Sequence, residues 1–151
     1  MHRKLICMLT GVAVVLGLSV HATADTTPED ALDYRLALMT SLRGHIGAAS
    51  MIARGLIENR GQLVNHAVGL KNGADELHDL FQEGSNVGES EALPVIWEER
   101  EAFAVAITKA EEATAAFVEA AKTGDAETIS NAFRDVGMSC RGCHDKFRVA
   151  H

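Results

Sequence analysis

The chain has 151 residues, 47% of them apolar but only 5% aromatic, and a formal charge of −7 from 21 acidic and 14 basic side chains. That balance argues against nucleic acid or an anionic membrane as a partner and favours proteins carrying basic docking patches. With so few aromatics, the core has to come from aliphatic side chains and alanine, and it gains from any large apolar group it encloses.

The first segment reads Met1-His2-Arg3-Lys4, then runs largely apolar from Leu5 to Val20, and closes on Ala22-Thr23-Ala24. A basic start, an apolar middle and a small-residue end predict a cleaved secretory signal peptide over residues 1–24. As a helix the apolar run is about 24 Å long, short of the roughly 30 Å of a bilayer core, so no stable membrane span is expected. Cys7 leaves with this segment. Residues 25–151 then form one domain with two cysteines, and the charge moves to −9 as Arg3 and Lys4 depart with no acidic residue. An exported chain without a spare thiol needs no disulfide framework.

Four helical stretches follow. In the first, Thr27 is the N-cap, Pro28 the first helical residue and Asp30 the capping-box acid. Leu32, Leu36, Met39, Leu42, Ile46, Ala49 and Ile52 form its apolar stripe, which ends near Gly55 to Asn59. Ser41, Gly44, Ala48 and Gly55 draw a small-residue line on the same helix, suited to another helix of the bundle or to a second subunit. The second stretch starts near Gly61 and carries Leu63, Ala67, Leu70, Ala74, Leu77 and Phe81. Its internal Gly69 and Gly73 suit close helix contact. Residues 82–90 have no periodicity and read as loop, and Pro94 opens a short turn carrying Trp97. The third stretch spans Glu98 to Lys122 on Phe103, Ile107, Ala110, Thr114, Phe117 and Ala121. Gly124 ends it, and Asp125 caps the fourth, with Ile129, Phe133, Val136, Cys140, Cys143 and Phe147 on its stripe. Helices of about 20–25 residues joined by three connections predict an all-α, up-down-up-down four-helix bundle. Trp97 and Phe133 read as core aromatics.

The fourth stretch ends in Cys140-Arg141-Gly142-Cys143-His144, the c-type haem attachment spacing. Cysteines three apart share one helix face, so both sulfurs reach the two vinyl groups along one porphyrin edge. His144 follows at once and supplies the proximal imidazole. A thioredoxin-type pair needs a βαβ setting that is missing here, and a structural zinc site needs a fourth ligand. One covalent haem c is therefore expected, and since such attachment occurs outside the bacterial cytoplasm, the leader and the motif agree on the periplasm. Arg35 lies one turn before Met39, and a guanidinium beside an apolar stripe needs a partner. A haem propionate is a suitable bidentate anion.

Signal peptide, four helices and a haem motif close to the C-terminus resemble the class II c-type cytochromes, the cytochrome c′ family. The resemblance covers essentially all of residues 25–151. Its anchors are Asp33-Tyr34-Arg35-Leu36-Ala37-Leu38-Met39, Leu93-Pro94-Val95-Ile96-Trp97, and the run from Val136 to Arg148 around the motif. Leu36 departs from the family pattern, in which many members carry glutamine.

The resemblance implies that Met39 lies over the distal side of the haem, binding iron in one branch of the family and merely crowding an empty position in the other. It also implies a basic residue, here Arg148, near the axial imidazole, and pairing through helices as one route to a homodimer. Met138 and Met51 are badly placed for the distal face, His45 points away from the first stripe, and His66, His78 and His151 show no pairing pattern. The expectation is a non-enzymatic periplasmic electron carrier with His144 and Met39 on the iron and redox proteins as partners. The alternative is a five-coordinate protein that binds nitric oxide or another diatomic. No acid–base pair suited to a peroxidase is visible.

Overall fold

The structure, a computed structural model, describes residues 26–59 and 61–150. The leader expected at residues 1–24, with Cys7, and His151 lie outside the described residues. The elements are α1 (Pro28–Ala53), α2 (Gln62–Asp75), a 3-10 turn (Leu77–Asp79), α3 (Val95–Glu98), α4 (Arg100–Thr123) and α5 (Ala126–Phe147). Local chemistry sets their ends. The Asp30 N–H donates to Thr27 Oγ1 at 3.1 Å at the start of α1, and the Thr128 N–H donates to Asp125 Oδ1 at 2.7 Å at the start of α5. That second bond holds the Asp125 carboxyl below its ordinary pKa, because the ionised form is the better acceptor. α4 stops at Gly124, whose φ of 73° is the left-handed conformation that closes a helix.

α1 packs on α2, α2 on α4 and α4 on α5, whereas α1 and α5 barely meet. Neighbours run antiparallel, as Phe117 on Phe133 and Phe103 on Phe147 show for α4 and α5. This is the expected up-down-up-down bundle. In α2 the two internal glycines do what their size suggests. A Cβ at Gly73 would stand 2.6 Å from Leu42 Cδ2, and one at Gly69 would stand 2.4 Å from His45 Nε2. Each glycine is the notch that receives an α1 side chain.

Four expectations need correction. α2 has only 14 residues and stops at Asp75 rather than running on to Phe81. Beyond it, the carbonyls of Leu80, Phe81 and Gln82 accept from the Arg35, Trp97 and Ser85 side chains instead of from a continuing helix. The turn expected to carry Trp97 is the short helix α3, set off from α4 by the non-helical Glu99 (φ −114°, ψ 55°), so the third stretch begins at Arg100 rather than Glu98. Leu36, placed on the buried stripe, is 45% exposed, because the inward position is taken by its neighbour Arg35. His45 turns inward to meet His66.

The buried apolar residues form two clusters. One joins Ala49, Leu63, Leu70, Phe117 and Val136, and Cys140 packs against it. The other joins Ile96, Phe103, Ile107 and Phe147, and Cys143 packs against that one. The two thiols thus stand at the join between the halves of the core.

Candidate haem site

α5 carries Cys140, Cys143 and His144 within its last two turns. Both thiols are half-buried. Burial raises the pKa of Cys140, and burial together with the neighbouring Cys140 pushes Cys143 up to about 11. Reactive dithiols and metal thiolates sit in surroundings that lower the thiol pKa, so these surroundings favour neither a redox pair nor a zinc thiolate. Among the described residues no group of three or more His, Cys, Asp or Glu side chains is placed to hold a metal ion. Two half-buried thiols one helical turn apart, between two apolar clusters, fit the edge of a large apolar ring. They fit the expected group.

The imidazole of His144 lines a cavity of about 430 Å³ with Arg141, Asp145, Arg148, Val149 and Ala150. Burial and then the Arg148 cation lower its pKa, while Asp145 and Glu91 act in the opposite sense. The net direction favours the neutral ring, the form that binds iron. Arg148 closes α5, its N–H donating to the His144 carbonyl at 3.1 Å. Around it the chain is pinned to the loop before α3: the Leu93 N–H donates to Phe147 O at 3.0 Å and the Val149 N–H to Glu91 O at 2.9 Å. Arg148 Nε stands 3.4 Å from Glu91 Oε2. This clasp, which holds the end of the motif helix in place, was not foreseen from the sequence. An isolated Glu-Ala-Leu run gives no sign of it.

Met39 is half-buried on α1, on the side of the helix that also carries Arg35 and Leu42. α1 and α5 make little direct contact. Arg35 is only 4% exposed, and burial lowers its pKa. No carboxylate among the described residues pairs with it. Instead its two terminal nitrogens donate to Leu80 O, Ser85 Oγ, Ser85 O and Ser90 Oγ at 3.0–3.2 Å, and its guanidinium lies 4.9 Å from the centre of the Phe81 ring. The sequence reading offered a propionate as its partner; the structure adds a loop wrapped around it. Four of its five N–H groups are used in this way, leaving Nε–H.

Of the remaining candidates, Met51 and Met138 are exposed, and His78 Nε2 stands 3.7 Å from Glu111. Ser41, Gly44 and Gly55 are exposed, and Ala48 is half-buried. A Cβ added at Gly44 or Gly55 would meet no atom within 4 Å, so that end of the small-residue line is not used inside the bundle. No helix among the described residues is long and apolar enough to cross a membrane.

A family profile described as Cytochrome C' matches residues 30–148. The chain belongs to the cytochrome c′ family. It is 31% identical over 123 residues to cytochrome c' of Rubrivivax gelatinosus, covering 80% of this chain and 95% of that one. Its fold is similar to those of two variants of cytochrome c prime from Alcaligenes xylosoxidans, one solved with nitric oxide and one with carbon monoxide. Each has a TM-score of 0.76 at 29% identity, covering 82% of this chain and 98% of the other. As a member of this family the chain carries one haem c, bound covalently through Cys140 and Cys143, inside a four-helix bundle.

Proposed function

We propose that this haem protein takes nitric oxide, or a diatomic of similar size, on the iron face opposite His144, with Met39 shaping that face. One observation carries the reading: the near full-length likeness to cytochrome c prime structures that hold nitric oxide and carbon monoxide. The bound haem would supply the iron that takes the diatomic. The chain supplies everything else. Cys140 and Cys143 fix the ring to α5, and His144, its pKa lowered by partial burial and by Arg148, provides the proximal nitrogen. The clasp between residues 91–93 and 147–149 holds that end of α5 in place. Met39 presents an uncharged thioether, which fills space and keeps water off the distal face; an apolar cover of this kind admits a neutral diatomic more cheaply than an ion. The Arg35 Nε–H, left over from the loop contacts, is the donor for a propionate. The leader at residues 1–24 would deliver the protein to the periplasm, and the largely exposed small-residue line on α1 is the face for a second subunit.

A second reading rests on the sulfur of Met39. A thioether on the distal side is a competent iron ligand, and paired with His144 it makes a six-coordinate carrier that exchanges electrons with basic-patched redox partners. The optical spectrum of the ferric protein separates the two. A high-spin five-coordinate spectrum is expected, with nitric oxide binding to the ferrous form more quickly in Met39→Ala than in the parent. A low-spin spectrum with a sulfur-to-iron charge-transfer band, lost in Met39→Ala, would sink the gas-binding reading in favour of the carrier.

A further inference from the structure

Away from the haem motif, α1 and α2 bring two imidazoles together. His45 Nδ1 stands 3.2 Å from His66 Nδ1, the ring centroids are 5.5 Å apart, and the planes are inclined by 58°. Both rings are half-buried, so solvent reaches them. In a metal-free pair one Nδ1 carries a hydrogen and the other accepts it.

The seat of this pair is built into α2. Gly69 lies three residues after His66, hence on the same helix face. The His45 ring occupies the space where a Cβ would otherwise stand, 2.4 Å from Nε2 and 2.6 Å from Cε1. A mid-helix glycine costs about 1 kcal/mol against alanine, and the close seat of this imidazole is the feature that requires it.

We infer that His45 and His66 form a two-nitrogen site for a divalent transition metal, with zinc as the simplest occupant. Two imidazole nitrogens bound to one tetrahedral zinc at about 2.0–2.1 Å stand about 3.3 Å apart. The observed Nδ1 separation already matches that spacing, so binding needs a tilt of the two rings until their lone pairs converge. The hydrogen shared between the two Nδ1 atoms moves to Nε2 of its own ring, which leaves both rings neutral and releases no net proton. No third His, Cys, Asp or Glu joins the pair among the described residues. The remaining coordination positions therefore belong to water, as in open rather than closed zinc sites. Imidazole nitrogens suit zinc, copper and nickel, and disfavour magnesium and calcium.

Calorimetric titration of zinc chloride into the haem-loaded protein tests this. The parent should bind one zinc, His45→Ala and His66→Gln should each weaken that binding by at least about tenfold, and His78→Ala should leave it unchanged. Because His45 fills the Gly69 notch, His66→Gln is the variant that keeps the test valid if His45→Ala unfolds. A parental Soret band and parental melting temperature in the absence of zinc identify a folded variant. Absence of zinc binding to the parent, or parental affinity in folded His66→Gln, overturns the proposal and leaves the two rings as a packing hydrogen bond.

Discussion

Arg35 holds the loop after α2, and its remaining Nε–H is the proposed donor to a haem propionate. Its terminal nitrogens hold Leu80, Ser85 and Ser90. Removing a buried hydrogen-bonding group strands its partners, so Arg35→Met should cost about 3 kcal/mol of stability, read as a lowered melting temperature. Ser85→Ala should cost about 1 kcal/mol, since Ser85 Oγ loses only its share of that network. Arg35→Lys should restore little, because a single ammonium cannot satisfy four acceptors in a planar fork. If Arg35→Met melts with the parent, the loop is held by something other than this guanidinium. The sequence makes Arg35 visible as a cation on an apolar helix face. Its partners are not visible, for they lie 45 to 55 residues downstream in a loop with no periodicity.

Helix α2 shows how one residue type means opposite things at different positions. Gly69→Ala improves helix propensity yet drives a methyl into the His45 ring, so a net loss of stability is expected, relieved when His45→Ala is combined with it. Gly44→Ala meets open space and should stabilise by up to about 1 kcal/mol through propensity and a less flexible unfolded chain. Chemical denaturation of the three variants checks both signs; a stabilised Gly69→Ala would mean that the α1–α2 contact is looser than described. Element boundaries follow the same logic. Thr27, Gly124 and Asp125 mark helix ends through local caps and are read from sequence directly. The stop at Asp75 depends on which distant donors capture the carbonyls beyond it, and no local signal records that.

Across the whole molecule the core is divided, with Cys140 on one cluster and Cys143 on the other. A ring attached through both sulfurs therefore ties the two halves of the core together. Protein produced without covalent haem should lose amide-exchange protection first in α1, whose packing is weakest, and keep it longest in α4, which packs on both α2 and α5. Uniform loss across all four helices would mean that the polypeptide core is a single cooperative unit without the ring. The attachment itself is checked by Cys140→Ala with Cys143→Ala, which should leave haem extractable by acidified organic solvent.

The sequence alone determined the cofactor, its attachment through Cys140 and Cys143, and the all-α bundle. These follow from short-range rules: a fixed thiol spacing, helix periodicity and capping chemistry. Tertiary structure decided the partners of Arg35, the clasp that holds the end of the motif helix, and the meeting of His45 with His66. Each of these joins residues far apart in the chain, and distance in sequence carries no trace of proximity until the helices have packed.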